Sequence, residues 1–350
     1  MNEPPISKRM FRPLTAADVP SVLGLFAEAG LSPNVGPQDL QWKYWQPRAD
    51  WPGPRSFVLA DGRGPIAHAA LIPAWCAWGV HRIKMIHVID WAARPGTVGA
   101  GVALMKHIGQ QAQALLAIGG SAQTLRILPQ IGFRPIGLAT GYVRTLFPMR
   151  LFRDEVIPAW RLLPRVARSI AWTLGAPSAR SAHWQVRRVE GEQISSIAAV
   201  LPVPARGMAV LERSVELFRH MLSCPVVPMA LFAVEKSGSV RGYFLLASTP
   251  GQVRIADCWM DSDEPAEWRA MILCAVEQAK HDAQAAELVI WANDALLAQA
   301  LSSCGFHARH QTPIQVRPAE AAWMPPAPLR VQMLDCDAAF LHEGRPGHWA

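Results

Sequence analysis

The chain has 350 residues, 51% of them hydrophobic and 17% charged, with a formal net charge of +7. That balance describes a packed globular protein and excludes a disordered one. The length suits two domains, because single cores stop growing at about 250 residues.

No apolar run of signal-peptide type opens the chain, and no stretch of roughly 18 residues is free of charges and helix breakers, so a membrane span is not expected. The six cysteines (Cys76, Cys224, Cys258, Cys274, Cys304 and Cys336) form no CxxC pair and no zinc-type cluster. They read as reduced thiols, which predicts a cytoplasmic protein without a metal site. Nine arginines and two acids lie between Arg144 and Arg188, so that segment holds the whole net charge. A nucleic-acid binder would carry its basic stripe on a folded face, so no nucleic-acid partner is expected.

In chain order, "FRPLTAADVPSVLGLFAEAG" predicts a short strand and a helix, with Thr15 as N-cap, Asp18 in the first turn and Gly30 at the end. "PQDLQWKYWQP" predicts a second helix between Pro37 and Pro47. Two strands follow, "SFVLAD" and "PIAHAALIPAW", joined by the turn "DGRG". "RIKMIHVIDWAA" is apolar at both parities, as a strand covered on both faces should be. The glycine turn "RPGTVGAG" then leads into the helix "VALMKHIGQQAQALL". A strand "LLAIG", a helix "SAQTLRILPQI", the turn "GF" and the strand "LATGYVRTLF" complete the unit.

The same order returns in the second half. "HWQVRRVEGEQISSIAAVL" matches the opening strand and helix, and "SVELFRHMLSCP" matches the second helix. "LFAVEKSGSVRGYFLLAS" matches the hairpin, and "ELVIWANDALLAQALSSCGF" matches the closing strand and helix. Phe57 and Phe232 are offset by 175 residues, Phe133 and Phe306 by 173, which points to an internal duplication. The expected organisation is therefore a first domain at 1–148, a basic helical connector at 149–183, a second domain at 184–318 and a C-terminal tail at 319–350. The connector's prolines, Pro158, Pro164 and Pro177, predict short helical pieces. It is expected to pack Trp160, Leu163 and Trp172 inward and turn its arginines to water. The alternative is a basic amphipathic surface for an anionic membrane or polymer.

Several pieces carry a family resemblance. They are the opening Arg12-x-Leu14-Thr15-x-x-Asp18, the strand Gly64-x-Ile66-Ala67-His68, the glycine turn after Pro95, and the helix closing on Gly132-Phe133. In this order, over roughly residues 10 to 145, the chain resembles the GNAT (GCN5-related N-acetyltransferase) superfamily, in a tandem arrangement. The resemblance implies an α/β (α+β) fold of two GNAT-like domains, each a mixed, mostly antiparallel sheet flanked by helices.

The chemistry that can be read is concentrated in the first domain. A pyrophosphate needs backbone N–H groups gathered at a helix N-terminus, with glycines that let the backbone come close. The run Gly96-Thr97-Val98-Gly99-Ala100-Gly101 supplies this, so Thr97, Val98, Gly99, Ala100 and Gly101 are the candidate acetyl-CoA-binding residues. By resemblance, Trp91, Ala92 and Ala93 would lie along the pantetheine arm.

Deprotonating an amine acceptor calls for a carboxylate or a histidine, and Asp90 and His87 are the candidates on that strand. Three positions apart, they should face opposite ways in a regular strand. Tyr44 and Trp45 are candidates for holding the acceptor. Many GNAT enzymes carry a tyrosine acid four residues before "GF"; here that position is Leu128, and Leu301 in the second half. The equivalent second loop has no glycine and four acids, Asp261, Asp263, Glu264 and Glu267, which would repel phosphate. The expected activity is acetyl-CoA-dependent acyl transfer to a primary amine, such as an amino sugar. The alternatives are an aminoacyl transferase of the peptidoglycan-bridge kind and a non-catalytic scaffold.

Overall fold

The computed structural model describes residues 9–31, 34, 36–153, 159–177, 183–204 and 208–350. The chain divides into two compact units. The first comprises Met1–Trp75, Ile83–Pro135 and Gln315–Met324; the second comprises Cys76–Arg82, Ile136–Ile314 and Pro325–Ala350. Both are mixed α/β units built on mostly antiparallel sheets.

The first unit holds β1 (Met10–Pro13), α1 (Val19–Glu28), α2 (Pro37–Leu40, continued by a π-turn over Gln41–Trp45), β2 (Ser56–Asp61), β3 (Gly64–Trp78, as far as Trp75), β4 (His81–Ala93, from Ile83 on), α3 (Ala100–Ile108), β5 (Ala114–Ile118) and α4 (Ala122–Ile127). Its strands run in the order β1-β2-β3-β4-β5. The first two neighbours pair antiparallel, whereas β4 and β5 are parallel. The start of α1 forms as its sequence requires: the Asp18 carboxylate accepts from the Thr15 N–H at 3.0 Å and is gripped by Arg12 at 2.6 Å. That grip holds the Asp18 carboxyl well below the usual carboxylate range.

The sheet is covered on both faces, which accounts for apolar residues at both parities. Phe57, Leu59, Ile66, Ile86, Leu104 and Phe133 make one core layer, with α3. Val22, Leu25, Phe26, Leu40, Val58 and Ile89 make the other, with α1 and α2.

The second unit contains β6 (Arg134–Thr145, from Ile136 on), α5 (Ala159–Gly175), β7 (Trp184–Val189), β8 (Ala209–Leu211), α6 (Val215–Leu222), β9 (Met229–Lys236), β10 (Ser239–Thr249), β11 (Gln252–Met260), α7 (Pro265–Ala279), β12 (Glu287–Ala292), α8 (Ala295–Ser303), β13 (His307–Pro318, as far as Ile314) and β14 (Leu329–Arg330). The path β7-β9-β10-β11-β12 repeats the order of the first sheet, again with one parallel pair, β11 with β12. The helix expected after β7 is instead a series of 3-10 turns over Gly191–Val200.

Unit membership departs from contiguous domains at the last strand of each repeat. β6, the last strand of the first repeat in sequence, lies antiparallel to β12 from Thr140↔Ala292 to Thr145↔Glu287. The end of β13 belongs to the first unit, where the Ala319 N–H donates to the Gln113 carbonyl at 2.8 Å. The stretch read as a tail is also integral: Leu329, Val331, Met333, Cys336 and Phe340 are buried.

The connector differs from its expected form as well. α5 runs for 17 residues with Pro164 inside it. A proline there removes one main-chain hydrogen bond, which a helix anchored by side chains can absorb. Leu162, Val166 and Ser169 are the buried positions, while Trp160 and Leu163 face outward. The arginines are not simply solvated. Arg150 caps the Asp282 and Ala285 carbonyls, Arg144 those of Cys304 and Pro177, and Arg165 those of His348 and Ala350.

Candidate functional site

The candidate residues gather where β4 leaves β5. The parallel ladder runs from Met85↔Ala114 to His87↔Leu116 and goes no further. Three residues on, Asp90 has φ of +49°, a left-handed conformation rare for a residue other than glycine. Packing shows what this does. Ile86 and Val88 face the α3 layer, Ile89 faces the α1/α2 layer, and then Trp91 and Ala93 face α3 while Ala92 faces α1/α2. Strict alternation therefore slips by one residue at Asp90. This is a β-bulge, which bends the strand beyond its last pair with β5.

The bulge changes one expectation from the sequence. In a regular strand Asp90 and His87 would face opposite ways. With one extra residue between them, both fall on the α1/α2 side.

A buried polar knot fixes the bulge. The Asp90 carboxylate accepts from the Tyr44 hydroxyl at 2.8 Å and pairs with Lys43 Nζ at 2.7 Å, the Lys43 and Asp90 side chains being 2% and 5% exposed. The Asp90 carbonyl accepts from His68 Nδ1 at 3.0 Å, and His68 Nε2 meets Ser56 Oγ at 2.8 Å. That pair of bonds sets the tautomer: Nδ1 carries the proton and Nε2 accepts from the serine. Burial pushes the His68 imidazole down to about 4, so it is neutral at neutral pH.

His87 is likewise neutral, driven to about 4 by burial, with Nδ1 donating to the Leu116 carbonyl at 3.0 Å. That bond leaves Nε2 as its acceptor atom.

Sequence reasoning missed Lys43. Its signal was a lysine inside the aromatic run Trp42-Lys43-Tyr44-Trp45, on an element whose neighbours are buried. The π-turn, closed by the Gln46 N–H to the Gln41 carbonyl at 2.7 Å, brings consecutive residues Lys43 and Tyr44 onto one carboxylate. Such turns recur at functional sites. Arg55 holds the turn in place by donating to the Trp42 and Gln46 carbonyls at 2.8 and 2.6 Å. Tyr44 is thus a buried partner of Asp90. Trp45 is half-buried, with its indole N–H on the Leu14 carbonyl at 3.3 Å.

After β4 the glycine loop forms two successive turns. The Thr97 N–H donates to the Arg94 carbonyl with Pro95 and Gly96 between them, and Gly96 has φ of +82°. This is the Pro-Gly chemistry of a type II turn. The Ala100 N–H then donates to the Thr97 carbonyl, and Gly99, at φ +74°, is the N-cap of α3. A side chain built at Gly99 would meet nothing within 4 Å, and Val98 is exposed. The N–H groups of Gly101 and Val102 lie in the first turn of α3, where no carbonyl within the helix can reach them. Open backbone donors at a helix start are what a phosphate requires.

Gly101 has a different use. A Cβ there would come within 3.3 Å of the Trp91 indole nitrogen, which donates to the Gly101 carbonyl at 3.2 Å. It lets Trp91 pack against α3. Leu128, where the sequence resemblance would place a tyrosine acid, is a core residue.

The second unit keeps the knot and lacks the loop. On β11, Asp257 accepts from the Tyr243 hydroxyl at 2.8 Å and from Arg213 at 2.8 Å, next to a register slip between Leu245 and Leu246 of β10. A carboxylate, a cation and a tyrosine beside a strand irregularity thus occur in both units. Here α7 begins at Pro265, which has no N–H to offer. Of the four acids, Asp261, Asp263 and Glu264 are exposed, while Glu267 is already paired with Lys236 at 2.6 Å. Among the described residues no cluster able to hold a metal ion is present.

No protein-family model and no curated protein matches the sequence. Solved structures do. N-myristoyltransferase of Saccharomyces cerevisiae, determined with bound myristoyl-CoA and inhibitors, superposes with a TM-score of 0.61 at 13% identity, over 90% of this chain and 81% of that one. A GCN5-related N-acetyltransferase from Anabaena variabilis matches with a TM-score of 0.58 at 12% identity, over 89% and 73%. One from Kribbella flavida matches with a TM-score of 0.54 at 15% identity, over 90% and 72%.

The fold is the GNAT fold. Within it, the bulge on β4 and the glycine-capped start of α3 come from one continuous stretch, Asp90 to Gly101. No helix among the described residues is long and apolar enough to cross a membrane.

Proposed function

We propose that the chain is an acyl-CoA-dependent N-acyltransferase in which the first unit alone binds the acyl donor. The observation that carries this reading is the parting of β4 from β5 at the Asp90 bulge, followed at once by a helix whose N-terminus is open at Gly99. In this reading the N–H groups of Gly99, Gly101 and Val102 receive the pyrophosphate. The backbone of Trp91, Ala92 and Ala93, beyond the last pair with β5, lines the pantetheine arm. The donor supplies a thioester carbonyl, with acetyl as the first choice of acyl group. The acceptor is a primary amine such as an amino sugar, and the compartment is the cytoplasm.

The chain's own part is to position the donor and take up a proton. When the amine attacks the thioester carbonyl, a C–N bond forms, the C–S bond breaks, and the nitrogen loses one proton. Asp90 and His87 are the proposed acceptors of that proton, directly or through water. His87 is in the accepting form at neutral pH because burial disfavours its cation. The Asp90 carboxylate also pairs with Lys43 at 2.7 Å, so we assign Asp90 two functions: anchoring the bulge and accepting the proton. With leucine at position 128, the departing thiolate is protonated by water.

The test is release of free thiol from acetyl-CoA in the presence of a panel of amines. Asp90→Asn should lower turnover by about 10²-fold without weakening CoA binding. Turnover at the wild-type rate would remove the proton-acceptor assignment. CoA binding without transfer to any amine would favour a second reading, a binding protein on a GNAT fold, which the buried leucines at 128 and 301 support.

A further inference from the structure

Helix α5 has three faces. At about 100° per residue, Leu162, Val166 and Ser169 form the face buried in the second unit. On the other side Trp160, Leu163, Ala167, Ile170 and Leu174 recur at spacings of three and four, an apolar stripe. That stripe is in water: Trp160 is 66% exposed, Leu163 61%, Ile170 40% and Leu174 83%.

The third face is cationic and aromatic. The Trp172 ring stacks on His307 at 3.9 Å, with the exposed guanidiniums of Arg168 and Arg309 at 5.0 and 5.7 Å from its centre. Neither arginine forms an ion pair among the described residues, and the Arg309 Nε–H donates to the Trp349 carbonyl at 2.8 Å. Burial and the neighbouring Arg309 and Arg165 hold Arg168 below its ordinary range. No acid occurs anywhere from Ala159 to Pro177.

We propose that α5 docks the chain on an anionic lipid surface, with the Leu163–Ile170–Leu174 stripe at the boundary of headgroups and acyl chains and Arg168 and Arg309 on the headgroup phosphates. Charge decides for this occupant. An exposed apolar stripe beside a face of guanidiniums that have no carboxylate partner among the described residues, with Trp172 between them, is the pattern of a helix lying in a membrane interface. The proposal is independent of the acyl-transfer reading, because α5 lies outside every residue assigned to it.

The experiment is vesicle flotation of the full chain. Vesicles of phosphatidylcholine with about 30% phosphatidylglycerol are compared with phosphatidylcholine alone, at low and high salt. Leu163→Glu/Leu174→Glu and Arg168→Gln/Arg309→Gln are tested beside the wild type, their folding checked by circular dichroism. The wild type should float with the anionic vesicles and be released by salt. Each double variant should cut the bound fraction about tenfold or more. Failure of the wild type to float, or variants that float equally well, would overturn the proposal. So would a wild-type dimer that Leu163→Glu/Leu174→Glu converts to a monomer, which would assign the stripe to a second copy.

Discussion

Lys43→Met removes the cation from Asp90 while nearly conserving volume. The two side chains are 2% and 5% exposed and 2.7 Å apart, so the variant keeps a buried carboxylate with the Tyr44 hydroxyl as its remaining partner. Breaking a buried pair from one side costs about 3–5 kcal/mol, mostly because the surviving charge is stranded. Adding Asp90→Asn removes the stranded charge and should recover most of the loss, leaving about 1 kcal/mol for the altered hydrogen bonds. Urea unfolding of wild type, both single variants and the double variant at pH 7 measures all of this. A Lys43→Met variant within about 1 kcal/mol of wild type at pH 7 would refute the view that this pair anchors the bulge.

The other expectations are narrower. Gly99→Asp should abolish CoA binding while the fold persists, because its Cβ enters open space and its charge faces the helix N-terminus; Gly99→Asn, which tolerates the left-handed conformation, should bind. Gly101→Val should lower thermal stability through the Trp91 contact at 3.3 Å, so a loss of binding there without any loss of stability would contradict its packing role. His68 and His87 are both depressed from 6.5 to about 4 in the folded chain. Their stabilisation is complete above the unfolded value and is lost as pH falls from 6.5 through 4, on the order of 3 kcal/mol each. Urea midpoints should be flat above pH 7 in this respect and fall through that window; a midpoint unchanged down to pH 4 would count against buried neutral imidazoles.

Hydrophobic periodicity made most elements legible. The apolar run of β2, the capping chemistry of Thr15 and Asp18, and the glycine turn before α3 all depend on neighbours in sequence. What stayed hidden depends on distant partners. The slip at Asp90 cannot be read from "HVIDWAA", because the face of each residue is decided by the two core layers. Lys43 has no distant signature in the sequence; it is the π-turn that places it on Asp90. The placing of β6 beside β12 leaves no local trace, since a strand's sequence records how buried it is but not which strand it pairs with. Pro164 misled for the opposite reason: a local rule against a long helix yielded to the burial of Leu162 and Val166.

The central claim is that one acyl-CoA binds per chain, at the Asp90–Gly101 stretch of the first unit. Isothermal titration of the full chain with CoA tests it most directly. The account predicts a single site, abolished by Gly99→Asp and untouched by Asp261→Asn in the acidic loop before α7. Two equivalent sites, or a single site that survives Gly99→Asp and responds to Asp261→Asn, would contradict it.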